Sequence, residues 1–488
     1  MVIESLKYKI LQQFGFAPTQ EQGQALDTFV SFLTDRDPQA VMILRGSAGT
    51  GKTSLSGAIV RTLLQIRQKV MLLAPTGRAA KVFSLGSGAP AYTIHRRIYR
   101  EKAFAGVDGQ FSLNDNLYTD TLFMVDEASM IANMGLGGTT FGSGCLLDDL
   151  VKFVYQGHND RLLLIGDKAQ LPPVGEEESP ALSASVMEGY GLKVYECDLN
   201  EVLRQSQSSG ILYNATLIRQ MITHDAVTGL PLIRFKGFAD IVMMPGAELV
   251  ESLGDSYHHV GLDETMVITR SNKRANIYNN GIRNMVLDRE EELSSGDMLM
   301  IVKNNYFWTE KEKKESGEGS AGAVPAFLAN GDRAKVLRVS NYIELYGFRF
   351  ATLLLQLPDY DDCEMQVTGM LDTLQSEAPA LTHEQQEELF RQVEEDYQHF
   401  VPLKADRMKS IRQDAYFNAL QIKYAYAVTC HKAQGGQWAH VYVDQGYMTD
   451  DMLTPDYIHW LYTAFTRATD KLFLVNWPKE QTCEPTDL

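Results

Sequence analysis

Residues 40–53 read Ala-Val-Met-Ile-Leu-Arg-Gly-Ser-Ala-Gly-Thr-Gly-Lys-Thr. An apolar run, Ala40 to Leu44, leads into a Gly46-x-x-x-x-Gly51-Lys52-Thr53 loop, and Leu55, Ile59 and Leu63 follow at the four-residue spacing of a helix packed on a sheet. Strand, glycine-rich loop and helix in that order make an anion cradle. The glycines let the backbone turn tightly enough for its N–H groups to surround phosphates, and the helix N-terminus adds a positive dipole end. Lys52 is placed to reach the β- and γ-phosphates, and Thr53 to hold Mg²⁺. Gly46, Ser47, Ala48, Gly49, Thr50, Gly51, Lys52 and Thr53 are the expected ATP contacts.

Such a site also needs a carboxylate at a strand end. The run Thr121 to Val125 is followed directly by Asp126 and Glu127. Asp126 would position Mg²⁺ through its water shell, while Glu127 is the natural general base for the attacking water, which makes the reaction hydrolysis. Further short apolar runs, Val70 to Ala74, Arg161 to Ile165, Thr265 to Thr269, His440 to Val443 and Lys471 to Val475, alternate with helical patterns. This is the texture of parallel α/β architecture, and its two clusters predict two sheets.

Between the clusters the texture changes. From about Gly296 to Leu420 there are β-like pieces, a charged segment KEKKESGEGS read as flexible, and LTHEQQEELFRQVEEDYQHF, a polar helix expected to lie on top. A smaller interruption, Phe83 to Tyr118, alternates and turns like a hairpin around Val107-Asp108-Gly109. A glycine-rich loop runs from Gly135 to Gly144.

The chain of 488 residues is too long for one core, so several domains are expected. Its formal charge of −17 argues against a polyanion ligand until the charge is located. Twelve acidic residues lie between Gln356 and Phe400 against the single Arg391, so most of the excess sits in one stretch. The five cysteines are widely spaced with no C-x-x-C pair, and are read as reduced thiols, mostly in the core. No apolar run approaches the roughly 18 residues needed to span a bilayer, and the N-terminus carries charges among its apolar positions, so no membrane association and a cytoplasmic location are expected.

Beyond the loop and the Asp126-Glu127 pair, several motifs appear in order: TQEQ at Thr19 to Gln22, APTGRAAK at Ala74 to Lys81, YTIHR at Tyr92 to Arg96, IGDKAQLPPVG at Ile165 to Gly175, LNEVLRQ at Leu199 to Gln205, ITRSNKRANIYN at Ile268 to Asn279, VTCHKAQGGQW at Val428 to Trp438 and AFTRATDKL at Ala464 to Leu472. Together they resemble superfamily 1 helicases of the 5′-to-3′ group, superfamily 1B, with its RecD-like, Dda-like and Pif-type members. The resemblance implies that Gln22 recognises adenine, that Asp167 and Gln170 sit near the γ-phosphate and couple hydrolysis to movement, and that Arg204 and Arg467 are arginine fingers. It implies single-stranded DNA contacts at Thr76, Arg78, Lys81, His95, Arg270, Asn272, Thr429, His431 and Lys432, with Gln434 and Gly435 lining the ATP side.

The implied fold is α/β: two RecA-like P-loop domains with parallel sheets, the first over 1–83 and 119–198, the second over 199–295 and 421–488. The hairpin 84–118 is inserted in the first, where the family carries a strand-separating pin, with Phe104, Phe111 or Tyr118 as the candidate wedge. A β-barrel-like module, 296–420, is inserted in the second. The implied function is an ATP- and Mg²⁺-dependent translocase that closes a cleft on ATP, moves along single-stranded DNA and opens tailed duplex, acting as a monomer. An RNA helicase of the same superfamily and a P-loop ATPase or kinase without a nucleic-acid track are the alternatives.

Overall fold

In a computed structural model, residues 2–105, 108–135, 142–201, 208–223, 229–316, 325 and 327–483 are described. The chain divides into two compact units, residues 1–244 with 433–488, and residues 245–432.

The first unit is built on a six-stranded sheet. Its members are β1 (Ala40–Gly46), β2 (Lys69–Ala74), β3 (Ala91–Thr93), β6 (Thr121–Val125), β7 (Arg161–Gly166) and β8 (Lys193–Leu199), in the order β3-β2-β6-β7-β1-β8 and parallel throughout. Alternation along β1 explains why both faces are covered. Ala40, Met42 and Leu44 face one apolar cluster with Leu163, Ile165 and the helices Val2–Phe14, Gln20–Leu33 and Lys52–Gln65, whereas Val41 and Ile43 face another with Leu162, Leu164 and the helix Leu146–Gln156. A strand buried on both sides reads as an unbroken apolar run, and β1 is therefore visible in the sequence. Leu55, Ile59 and Leu63 are all buried as their spacing predicts.

The hairpin strands are β4 (Tyr99–Ala105) and β5 (Asp108–Leu113), antiparallel with Ala105 opposite Asp108. Asp108 and Gly109 therefore belong to β5 and not to the turn. Phe111 and Tyr118 pack on the sheet's second cluster, Tyr118 edge-on to Phe123 at 5.5 Å, so both serve packing. The side chain of Phe104 and most of the loop Gly135 to Gly144 (136–141) lie outside the described residues. This unit also holds β9 (Ile241–Met244), β17 (Trp438–Asp444) and β18 (Ala468–Val475), with β18 between the other two and parallel to both.

The second unit contains β10 (Thr265–Thr269) paired in parallel with β16 (Ala427–Thr429), and a closed barrel of β11 (Met298–Ile301), β12 (Arg333–Leu345), β13 (Phe348–Leu357), β14 (Cys363–Met370) and β15 (Leu420–Tyr424). Closure leaves no unpaired edge. The acidic stretch is thus part barrel wall, β14, and part helix. His383–Gln398 starts with a capping box between Thr382 and Gln385 and lays Leu389 and Val393 on Phe348, Phe350 and Met370. Its carboxylates stay on the solvated face, as expected. The segment KEKKESGEGS differs from its reading: its first residues finish the helix Phe307–Ser316. The cysteines differ too, because Cys430 alone is buried and the other four are partly exposed. Among the described residues no helix is long and apolar enough to cross a membrane.

The second unit is pinned by one buried carboxylate. Asp297, at 0% exposure, accepts from Arg283 Nε at 3.0 Å, Arg289 Nη1 at 2.7 Å, Tyr426 Oη at 2.7 Å and the Ser294 amide at 2.7 Å. Removing the anion strands two guanidiniums, and breaking such a buried pair costs about 3–5 kcal/mol. Asp297→Ala should lower the urea midpoint of this unit, read by hydrogen exchange of the barrel strands, by more than Asp297→Asn does. Equal protection in wild type and Asp297→Ala would contradict the assignment.

Candidate active site

The phosphate loop runs from the end of β1 into the helix Lys52–Gln65, with Gly49 at φ 77° and Gly51 at φ 82°, a region that favours glycine. A side chain on Gly46 would meet Lys52 Cγ and Thr50 Oγ1 at 2.9 Å. The loop is also held by contacts from outside it. Ser47 N donates to Leu199 O of β8 at 3.2 Å, and Thr50 Oγ1 donates to Ser47 O at 2.8 Å. Lys52 Nζ is hydrogen-bonded to the carbonyls of Gly46 and Ser47, the latter at 3.0 Å.

Gln22 is 1% exposed and both ends of its amide are engaged: Nε2 donates to Thr50 O at 2.9 Å, and Oε1 accepts from Thr19 N at 3.0 Å. It ties the cap of the helix Gln20–Leu33 to the phosphate loop, so it reaches an adenine only by giving up one of these bonds.

Asp126 and Glu127 follow β6 as the motif predicts. Asp126 N donates to Leu73 O of β2 at 3.0 Å, its carboxylate accepts from Glu127 N at 2.9 Å, and Glu127 sits at φ 52°, a sparsely occupied region for a non-glycine residue. Burial, and then the neighbouring Glu127, hold the Asp126 carboxyl well above the usual range. A cation relieves both effects. Thr53 is exposed on the first helical turn, so its hydroxyl and the Asp126 carboxylate are chemically suited to a Mg²⁺ ion.

A buried line leads away from Glu127. With its amide nitrogen turned toward Glu127, as the hydrogen-bonding pattern requires, Gln170 donates to Glu127 Oε2 at 3.3 Å and accepts from Arg467 Nη2 at 3.2 Å. Arg467 is 2% exposed and also donates to Thr463 O at 3.1 Å and Gly436 O at 3.1 Å. Arg467 lies in the same compact unit as the phosphate loop. Arg204 lies outside the described residues.

Two residues that no motif pointed to also touch the loop. Tyr462 Oη accepts from Ala48 N at 3.0 Å and donates to Asp167 Oδ2 at 2.6 Å, joining the loop, the IGDKAQ segment and the helix Pro455–Phe465. Arg219 Nη1 donates to Ser47 Oγ at 2.8 Å and Asn200 Oδ1 at 3.1 Å. Tyr462 lies on the helix Pro455–Phe465 five residues before Arg467, just ahead of the AFTRATDKL motif. Arg219 is a lone arginine in an ordinary helix, and nothing in the sequence marks it.

The residues expected to touch nucleic acid separate by environment. Within the first unit, Thr76 caps the helix Gly77–Ser87, Arg78 donates to Gln437 O at 2.6 Å and stacks on Trp438, and Lys81 lies half-buried on that helix. Gly435 approaches so closely that a Cβ would stand 3.0 Å from Thr76 Oγ1, while Gln434 Nε2 donates to Leu171 O at 2.7 Å. In the second unit Arg270 and His431 are exposed, Thr429 is half-buried, and Asn272 Nδ2 donates to Glu377 O at 3.2 Å. Burial lowers Lys432 to about 8, and burial followed by the Lys432 charge lowers Lys423, unmarked by any motif, to about 8.

His95 lies partly exposed on the short helix Ile94–Ile98. Burial pushes its imidazole down to about 4 despite the Asp149 charge, which favours the neutral form, and its ring lies 5.6 Å from Tyr99. Since the unfolded chain binds a proton here that the folded chain refuses, this contribution is present above about pH 6.5 and is lost as pH falls toward about 4. Unfolding midpoints across that window should fall less steeply with acid for His95→Gln than for the wild type. Parallel curves would contradict a lowered imidazole.

Comparison with known proteins agrees with the motif order. Residues 17–229 match the AAA domain model and residues 424–475 match the UvrD-like helicase C-terminal domain model, together more than half of the chain. The ATP-dependent RecD2 DNA helicase of Deinococcus radiodurans is 30% identical over 157 residues, covering 32% of this chain and 18% of that protein. The ATP-dependent DNA helicase dda of Enterobacteria phage T4 is 25% identical over 267 residues, covering 53% of this chain and 55% of that protein. The chain thus spans less than two thirds of either relative. A solved structure of the Bacteroides Pif1 helicase with ADP-AlF3 and ssDNA aligns over 96% of this chain and 95% of that one, at a TM-score of 0.45 and 13% identity. By its ordered motifs, its two matched domains and these relatives, the chain belongs to the superfamily 1B helicases.

Proposed function

We propose that the protein hydrolyses ATP to move along single-stranded DNA, from 5′ to 3′, and to open duplex DNA ahead of it. The observation that carries the reading is the buried line Glu127–Gln170–Arg467 beside the phosphate loop. A base linked to an arginine through one side-chain amide senses whether a phosphate is present, and a kinase has no use for such a link.

In this mechanism Lys52 leaves the carbonyls of Gly46 and Ser47 for the β- and γ-phosphates, and the loop amides take the remaining charge. Glu127 accepts the proton of the attacking water, whose oxygen bonds to the γ-phosphorus as the bond to the β-phosphate oxygen breaks. Gln170 follows the terminal phosphate and passes its presence to Arg467 and, through the adjoining IGDKAQ segment, to Tyr462. Arg204 is the second finger. Thr53 and Asp126 would hold Mg²⁺, which would supply charge neutralisation for the polyphosphate.

The track is read by backbone contacts. The Thr76, Arg78 and Lys81 segment offers one grip, and Arg270, Asn272, Thr429, His431 and Lys432 the other; alternation between them converts turnover into motion along the strand. Arg78 must exchange its Gln437 contact for a phosphate to take part. The domain limits given above for two RecA-like domains, a hairpin insertion and a barrel insertion remain the proposed organisation, with the protein acting as a cytoplasmic monomer.

Lys52→Ala and Glu127→Gln should each abolish hydrolysis, with Glu127→Gln still binding ATP and DNA; full turnover by Glu127→Gln would remove Glu127 from its role. On duplexes carrying a single-stranded tail at one end, unwinding should require the 5′ tail. Opening only of 3′-tailed duplex would overturn the direction.

A further inference from the structure

Among the described residues Arg219 is a cation with no carboxylate against it, placed at an anion-binding loop. It projects half-buried from the helix Gly210–Thr223, and both of its hydrogen bonds go from Nη1 to neutral oxygens, Ser47 Oγ and Asn200 Oδ1. Among the described residues no carboxylate lies within ion-pair distance of its guanidinium. Arg45, which borders the same cavity of about 400 Å³, shows the alternative: it is paired with Asp198 at 2.6 Å and Glu196 at 2.7 Å. Asp167 also borders that cavity, but its carboxylate is engaged by Tyr462 Oη and by the Ala169 amide at 3.0 Å.

The position of the contact says which anion is missing. Ser47 is the second residue of the phosphate loop, and its two oxygens are shared between two cations, Ser47 O by Lys52 Nζ and Ser47 Oγ by Arg219 Nη1. Lys52 is the side chain that reaches the β- and γ-phosphates. Two like charges held at one residue by neutral acceptors repel each other until a negative group lies between them. A guanidinium carries five donors in a rigid fork suited to phosphate oxygens, and only one nitrogen of this fork is in use.

We propose that Arg219 is a nucleotide-contacting residue that binds the terminal phosphate of a nucleoside triphosphate, exchanging Ser47 Oγ for a phosphate oxygen when the triphosphate arrives. Arg219 then distinguishes triphosphate from diphosphate, and its helix carries that difference away from the phosphate loop. The proposal rests on the ATPase reading of the loop and names one more contact within it.

The test is a fluorescence titration of the full chain, with Mg²⁺, using a non-hydrolysable ATP analogue and ADP, each carrying the same fluorophore. Arg219→Gln keeps hydrogen-bond donors for Ser47 and Asn200 but removes the charge, and Arg219→Lys keeps the charge. Arg219→Gln should lose at least about tenfold in affinity for the triphosphate analogue, on the scale of a lost charge-assisted hydrogen bond, while its ADP affinity stays within about twofold of wild type; Arg219→Lys should recover part of the loss. Equal losses for both nucleotides, or full triphosphate affinity in Arg219→Gln, would show that Arg219 only braces the loop and would overturn the proposal. Wild-type protein that binds neither nucleotide would overturn the ATPase reading together with this one, so the two failures are distinguishable. Thermal midpoints of both variants, compared with wild type, separate lost contact from lost fold.

Discussion

The hydrogen bond from the Ala48 amide to the Tyr462 hydroxyl joins residues 414 positions apart, and much of the site depends on it. An anion-binding loop must aim its inner amides at empty space, so it cannot satisfy itself and must be held by its other groups. Here the holders come from four places: Leu199 at the end of β8, Gln22 from the helix Gln20–Leu33, Tyr462 from the helix Pro455–Phe465 and Arg219 from the helix Gly210–Thr223. Because Tyr462 also donates to Asp167, and Gln170 three residues further on meets Glu127 and Arg467, a change at the phosphates reaches the C-terminal helix through few intermediaries. Gln22, Asp167, Gln170, Tyr462 and Arg467 are buried, where a lost partner costs about 1–3 kcal/mol, so this part of the arrangement resists partial rearrangement.

Charge is managed by location. The acidic stretch of the second unit is absorbed by a barrel strand and by a helix that buries two apolar residues and leaves its carboxylates in water. Four cations near the matched motifs show how individually such charges are placed. Lys52 and Arg219 rest on neutral oxygens, while Lys423 and Lys432 are lowered by burial. The net charge of −17 therefore says little about what the protein binds.

How much of this was legible in the sequence depends on how much of it was local. β1, β6, β7 and β10 are buried on both faces and stand out as apolar runs, and the phosphate loop is legible because its geometry demands glycine at fixed spacing. β8 was missed, since as an edge strand it alternates charged and partly buried residues, and β14 was hidden in the acidic stretch because only its inward positions are apolar. At the site, Asp126 and Glu127 sit where a strand must end. Tyr462 and Arg219 act through contacts set by tertiary packing across long sequence separations. His95 lay in a matched motif, yet the surroundings that lower its imidazole could not be read from neighbours in sequence.

The central claim is that the phosphate loop and its buried line work for a nucleic-acid track. The most direct measurement is the steady-state ATPase rate of the full chain alone, with poly-dT and with poly-U. The account predicts slow hydrolysis by the protein alone and many-fold stimulation by poly-dT that exceeds any effect of poly-U. A rate indifferent to both polymers, or one raised by poly-U alone, would contradict it.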